Sequence, residues 1–241
     1  MNGPGSRLVQ VRALVEEERR AVDDKPAVVG RMQRLCRAAA RALPATGVGI
    51  SLIAETGTQV TVAASGETTE QIEELQFALG EGPCLDAYAT RRPVLNSDLL
   101  AAGGRWPGYV RAVQEHGVRA VFAFPLQVGA ARMGAMDVYR DEMGNLSQEA
   151  LAQAFTFAEV ATGSLLDSQL EPGDTEEILR DAVDNHYELF QAQGMAMVQL
   201  RVSLAEAMVR IRAHAYGQDL RLTDVASDIV AGRLVLEADE P

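Results

Sequence analysis

Between Pro26 and Pro44 apolar side chains recur every three or four positions, at Val29, Met32, Leu35, Cys36, Ala39 and Leu43, while Arg31, Arg34, Arg37 and Arg41 occupy the other side. That spacing predicts an amphipathic helix, begun at a proline that loses no hydrogen bond in a first turn and ended by the next proline. Residues 1–25 carry a weaker stripe of Leu8, Val11, Leu14, Val15 and Val22 and read as a leader helix. The period then changes. "VGISLIAE" and "QVTVAASG", joined by "TGT", predict a β-hairpin, and a polar helix is expected from about Thr69 to Ala78. Pro83 opens a short helix that Pro93 closes before a brief strand, residues 96–108 read as loop, and "GYVRAVQEHG" is a helix stopped by Gly117. "VRAVFAFPLQVG" and "ARMGAMDVYR" are a second strand pair around Gly129, where Pro125 argues for a bulge or an edge, and a long helix follows from Ser147 to Leu170. This order suits an α+β domain over residues 26–170, an antiparallel sheet with helices segregated to one side.

At "EPGD" the pattern breaks, and no strand signal follows it. Residues 171–175 form a linker, residues 176–236 an all-α three-helix unit, and residues 237–241 a tail. The long first helix carries Ile178, Leu179, Ala182, His186, Leu189, Phe190, Gln193, Gly194, Met197 and Leu200 on one stripe. "SLAE" offers a capping box, with Ser203 accepting from the first turn and Glu206 reaching back, and a third helix is expected from Leu222 to Leu236. A unit of roughly sixty residues sits near the lower size limit for independent stability, so the long helix is expected to gain support from a partner chain in a homodimer.

Composition narrows the function. Lys and Arg number 22 against 34 Asp and Glu, a net charge of −12 that repels phosphate at long range, so any nucleic-acid contact must come from a local patch. The first residues lack the apolar core of a signal peptide, and no run approaches the ~18 apolar residues of a membrane span, so a cytoplasmic protein without a membrane partner is expected. Cys36 and Cys84 are too few for a disulfide framework or a zinc site, and His116, His186 and His214 are scattered. No metal site, catalytic constellation or phosphate-binding loop emerges, and an enzyme is not expected.

"FALGEGPCLDAYATRRPVLNSDL", followed by "RWPGYVRAVQEHGVRAVFAFPLQVGAARMGAMDVYR", resembles a GAF domain, across roughly residues 26 to 170. The resemblance implies a six-stranded antiparallel sheet, helices on one face and a small-molecule pocket on the other, in a family that mostly senses. Phe77, Cys84, Trp106, Phe122, Phe124 and Tyr139 are candidates to line such a pocket, beside the plainer reading that bulky side chains at alternate strand positions are core. Phe122 and Phe124 point to one face by the strand period. Cys84, near a helix start, is either a redox handle with a lowered thiol pKa or a buried inert cysteine. The Cys-His pair of a bilin-attaching GAF domain is missing, no histidine is placed for haem, and no residue indicates a cyclic nucleotide. The ligand or cofactor stays unknown.

"QAQGMAMVQLRVSLAEAMVRIRAHAYGQDLRLTDVASDIV" looks like an ANTAR domain, the three-helix RNA-binding module of bacterial transcription antiterminators. The matching positions are Ala192, Gly194 and Met197, then Ala207, Ile211, Arg212 and Ala215, then Leu222, Val225 and Ala226. The resemblance implies contacts to a structured RNA hairpin from Gln193, Gly194, Arg201, Arg210, Arg212 and Arg221, with arginines on phosphates and polar groups on unpaired bases. Between residues 186 and 236 five arginines meet five acids, and Gln193 stands where the family often has lysine, so this is no basic field. The expectation is a signal-responsive antitermination regulator, a GAF sensor fused to an ANTAR output. Its rivals are a dimeric protein-interaction module without RNA binding and a thiol redox sensor acting through Cys84.

Overall fold

The computed structural model describes residues 4–18, 27–53, 59–168, 174–218 and 220–236. Five strands form one antiparallel sheet in the order β2-β1-β5-β4-β3: β1 Gly47–Ile53, β2 Gln59–Ala64, β3 Val94–Asn96, β4 Ala120–Val128 and β5 Ala131–Arg140. The "TGT" link of the first hairpin lies outside the described residues. The second hairpin turns at Gly129, whose φ of 57° lies in the left-handed region that favours glycine. Pro125 pairs with Ala135 of β5, one residue before a register shift between Leu126 and Gln127. On its other side β3 reaches only Val121–Ala123, so an otherwise central strand is an edge where the proline lacks its N–H.

The described residues contain five strands rather than six, because only five runs carry strand patterning. After β3 the chain bends through a 3-10 turn, Leu100–Ala102, and Gly103 and Gly104 into helix α5 Pro107–Gln114. Helices also cover both faces of the sheet rather than one. Val48, Ile50, Phe122, Phe124, Met136 and Val138 face α1 Pro4–Glu17, α2 Ala27–Ala42 and α6 Gln148–Ser168, with Val11, Met32, Leu35 and Phe157 completing that layer. The alternate positions Val121, Ala123 and Tyr139 face α3 Glu67–Leu79, α4 Pro83–Thr90 and α5. A strand buried on both faces is apolar at successive positions, which is why "AVFAF" reads as a continuous run.

After residue 173 the chain forms α7 Asp174–Leu200, α8 Leu204–Gly217 and α9 Leu222–Val230. Leu189, Ala192, Ala196, Ala207, Met208, Ile211, Ala215, Val225, Ala226 and Ile229 make a core separate from the sheet layers. Ala192, Ala196 and Ala207 are fully buried, and their small side chains let the helices approach closely. Side chains of the first half of the expected α7 stripe, Ile178 to His186, lie outside the described residues. Ser203 caps α8 by accepting from the Glu206 N–H at 3.2 Å, but the Glu206 carboxylate turns to Arg210 instead of reaching back. The third helix is shorter than its apolar pattern suggests, because Gly232 at φ 72° turns the chain after Val230. The core prediction concerns Phe122, which is 1% exposed: Phe122→Ala is expected to lower unfolding stability by about 3–5 kcal/mol in urea titrations, whereas Leu95→Ala, on the same sheet but 47% exposed, should cost far less.

Candidate functional site

Strand β1 presents Gly47, Gly49 and Ser51 to the α3 side of the sheet, opposite Tyr139, Asp137 and Ala135 of β5. The two glycines decide what lies above them. A Cβ at Gly47 would overlap the Thr69 side chain, and one at Gly49 would overlap the Glu73 carboxyl. With hydrogens there, α3 settles close to the sheet and delivers Glu73 and Gln76 into a buried polar cluster.

The cluster is continuous. Ser51 Oγ donates to Glu73 Oε2 at 2.6 Å, and the Tyr139 hydroxyl donates to Glu73 Oε1 at 2.7 Å. Gln76 Nε2 donates to Asp137 Oδ2 at 2.5 Å and lies 3.1 Å from the Tyr139 hydroxyl, while its Oε1 accepts from the Cys84 N–H at 2.9 Å. Gln59 Nε2 reaches Cys84 Sγ at 3.6 Å. Ser51, Glu73, Gln76, Cys84, Asp137 and Tyr139 are all at most 1% exposed. A Cβ at Gly82, the N-cap of α4, would overlap Gln76, so a third glycine shapes the far wall.

Two carboxyls here face hydrogen-bond donors but no salt-bridging cation among the described residues. Burial therefore dominates their titration: it lifts Glu73 from 4.5 to about 7, against the lowering effect of the Ser51 and Tyr139 hydrogen bonds. Burial, then the neighbouring Glu73 charge, raises Asp137 well above the usual carboxylate range. Two such acids in one dry site titrate as a pair and retain a proton near neutrality. The same burial, with Asp137 and Glu73, raises the Cys84 thiol well above its ordinary value. Position near a helix start does not make Cys84 a thiolate, because no water reaches it and the nearest charges are negative.

The six residues expected to line a pocket separate into three groups. Cys84, Trp106 and Tyr139 share the α3–α5 side. Trp106 Nε1 donates to Asp86 Oδ2 at 3.0 Å, its ring meets Tyr109 edge-on at 6.5 Å, and the Arg105 guanidinium lies 4.7 Å from the ring centre. Phe122 and Phe124 lie on the opposite face beneath α6, with Phe124 against Phe155 at 5.1 Å, and do not meet the other three. Phe77 points away from the sheet into the α7–α9 core. Sequence reading missed Ser51, Glu73, Gln76, Asp137 and Tyr109. The available signals were an aspartate inside the apolar strand "GAMDVY", a Glu73–Gln76 spacing of one helical turn, and the Gly-x-Gly at the start of β1.

The residues expected to touch RNA are also distributed unequally. Arg201, in the left-handed conformation after α7, and Arg221, at the start of α9, are exposed. Gln193 is buried and ties the helices together, donating to the Leu204 carbonyl at 2.8 Å. Gly194 is half-buried with nothing near its α-carbon face. Arg210 is half-buried and pairs with Glu206 at 2.9 Å. Arg212 is turned toward α3, 5.2 Å from the Phe77 ring centre, and its burial lowers its pKa to about 10.

A pH dependence follows from Glu73. Its folded-state pKa exceeds its unfolded value, so the native protein binds extra proton between about 4.5 and about 7, and stability declines as pH rises through that window. Glu73→Gln keeps partners for Ser51 and Tyr139 without a charge. It is expected to flatten the decline and to raise stability above pH 7 by about 3 kcal/mol, seen as a higher melting temperature there. Thermal melts of both proteins across pH check this, and parallel curves would contradict it.

Residues 30–164 match the family model described as GAF domain, more than half of the chain. The fold also recurs in solved structures. The GAF domain of a phosphoenolpyruvate-protein phosphotransferase from Coxiella burnetii is 17% identical with a TM-score of 0.54, covering 70% of this chain and 98% of that one. The corresponding domain from Acinetobacter is 16% identical with a TM-score of 0.53 over the same shares, 70% and 98%. The free methionine-R-sulfoxide reductase of Neisseria meningitidis, solved with its substrate, is 17% identical with a TM-score of 0.50, covering 69% of this chain and 90% of that one. A comparison with curated protein sequences gives no match. With its antiparallel sheet and a family match across residues 30–164, the chain belongs to the GAF domain family.

Proposed function

We propose that the chain is a signal-responsive regulator in which the GAF domain senses a small molecule and the α7–α9 unit binds a structured RNA hairpin, as an antitermination factor does. The observation that carries this reading is the α7–α9 unit itself: three helices packed around a core that Phe77 of α3 also enters, fused to a GAF domain and resembling an ANTAR module in sequence. Its exposed arginines stand at both helix junctions, Arg201 between α7 and α8 and Arg221 before α9. Such placement suits a compact folded RNA, where a few aimed cations contact phosphates and polar groups read unpaired bases. In this reading the chain works in the cytoplasm as a homodimer through α7, and the GAF domain transmits a signal without catalysis. No helix among the described residues is long and apolar enough to cross a membrane.

On the sensing side, the α3–α5 face is the proposed receiver. Its cluster of Glu73, Asp137, Gln76 and Tyr139 is buried and hydrogen-bonded, with both carboxyls raised by burial, a combination that makes it a candidate functional site.

A second reading has its own support. The α7–α9 unit exposes Val198, Val209, Tyr216 and Leu220, and five arginines in residues 186–236 are matched by five acids, which suits a protein-docking surface better than a nucleic-acid one. In vitro selection from a pool of randomised stem-loop transcripts separates the two. RNA binding predicts enrichment of one hairpin class, held with a salt slope that Arg201→Ala and Arg221→Ala each reduce by about one. A folded protein that enriches no hairpin at low salt would overturn the RNA reading in favour of the protein-docking one.

A further inference from the structure

The helical unit does not stand clear of the sensor. Phe77 of α3 is 5% exposed, and it is buried among Leu189, Met208, Ile211 and other α7–α9 residues rather than in the sheet layers. Over its ring sits the Arg212 guanidinium, 5.2 Å from the centroid. Gly80, three residues on, adopts the left-handed conformation at φ 69°, and a Cβ there would lie 3.0 Å from Arg212 Nη1. One turn along α8 the largely exposed Tyr216 passes near the start of α5, its ring 3.7 Å from where a Cβ on Gly108 would be. The loop between α3 and α4 is held in place at the same seam, where Glu81 Oε1 accepts from the Tyr109 N–H at 2.8 Å.

The opposite side of α3 is the polar cluster. Gln76, the residue before Phe77, bridges Asp137, Tyr139 and the Cys84 N–H, and Glu73 one turn earlier bridges Ser51 and Tyr139. One helix of thirteen residues thus carries the sensor's buried polar groups on its inner side and the contact with the output unit on its outer side. A rigid helix cannot change its seat on the sheet without moving Phe77 and Gly80, because helices shift as units in a close-packed interior.

We infer that the sensor restrains its own output unit: α3 covers Arg212 through Phe77 and Gly80, and displacement of α3 from the cluster of Glu73, Gln76, Asp137 and Tyr139 uncovers it. The contact is built for reversal. Arg212 is half-buried, its Nε is buried without a hydrogen-bond partner, and no carboxylate salt-bridges it among the described residues, so at Nε the ring face and apolar packing stand in for the lost hydration. A cation held by a carboxylate would be harder to release. A ligand that binds the displaced form of α3 better than the seated form shifts the balance by its differential affinity alone. The output consequence, that Arg212 becomes available to RNA, rests on the proposed function; the covering of Arg212 by α3 does not.

The test uses the full chain and two separate readouts. The first is the rate at which phenylglyoxal modifies each arginine, followed by peptide mass spectrometry. Arg212 is expected to react far more slowly than Arg201 and Arg221 in the unaltered protein. Phe77→Leu, which keeps apolar bulk but removes the ring face, should raise the Arg212 rate by about fivefold, the order expected for one cation–π contact, and Phe77→Ala by more. Gln76→Leu, which breaks the cluster without touching Arg212, should raise it too, with Arg201 and Arg221 unchanged. Circular dichroism confirms that each variant is folded, and Phe77→Leu serves if Phe77→Ala is not. Equal labelling of Arg212 in all proteins would overturn the restraint, and a response to the Phe77 variants without one to Gln76→Leu would overturn its link to the cluster. The second readout is affinity for a hairpin enriched by selection on the Phe77→Leu protein. Tighter binding by Phe77→Leu than by the unaltered protein supports the output consequence. Unchanged labelling with good RNA binding sinks the restraint alone, whereas altered labelling with no hairpin enriched by any variant sinks the RNA reading alone.

Discussion

Two missing methyl-sized groups on one strand set the geometry of this molecule. Because Gly47 and Gly49 have no Cβ, α3 lies close enough to the sheet for Thr69 and Glu73 to occupy the space above β1. That seating puts Gln76 between Asp137 and the α4 start, and by helical geometry it turns Phe77 outward, where the helical unit packs on it. The polar cluster, the position of Cys84 and the covering of Arg212 all depend on the same close approach.

The cluster is an expensive thing to build. Two carboxyls without a cation lose their hydration when α3 closes, and their hydrogen bonds to Ser51, Tyr139 and Gln76 recover only part of it. Apolar residues of similar volume would hold α3 to the sheet with less loss, so a purely structural purpose explains the arrangement poorly. The site is also incompletely satisfied, since Asp137 Oδ1 is buried without a hydrogen-bond partner, and in the proposed reading that residual cost is what lets a ligand favour another seating of α3. The α1–α2–α6 layer on the other face of the sheet is built from Met32, Leu35, Phe122, Phe124 and Phe157, and the buried carboxylate beside it, Glu18, is paired with Arg41, so this layer supplies the stable platform.

Much of the fold was legible because its signals are periodic. The stripe of Met32, Leu35, Cys36 and Ala39, the paired β runs and the capping serine at 203 each have a local cause, and the structure places helices and strands where they predict. What failed was sidedness. A continuous apolar run such as "AVFAF" is compatible with one covered face or two, and only the packing of α3 to α5 on the second face decides it. For the same reason Phe122 and Phe124 could be paired with each other from sequence, but not assigned to the layer beneath α6. The acids of the site were illegible for a different reason: Glu73 in a polar helix looks solvated, and its burial depends on glycines more than twenty positions away. Arg212 likewise reads as a surface cation until Phe77 is seen beneath it. Aromatic residues drew the eye toward a pocket, while the polar groups that occupy that face were spread over three elements.

The central claim is that close seating of α3 keeps a carboxyl of this cluster protonated near neutrality. Carbon-detected NMR titration of the glutamate side chains in the full chain, with the Glu73 resonance assigned by its loss in Glu73→Gln, reads this directly. The account predicts that Glu73 titrates with a midpoint near 7, raised by burial from the ordinary glutamate value. A midpoint at the ordinary glutamate value of 4.5 would show the carboxyl to be hydrated, and α3 not to be seated as described.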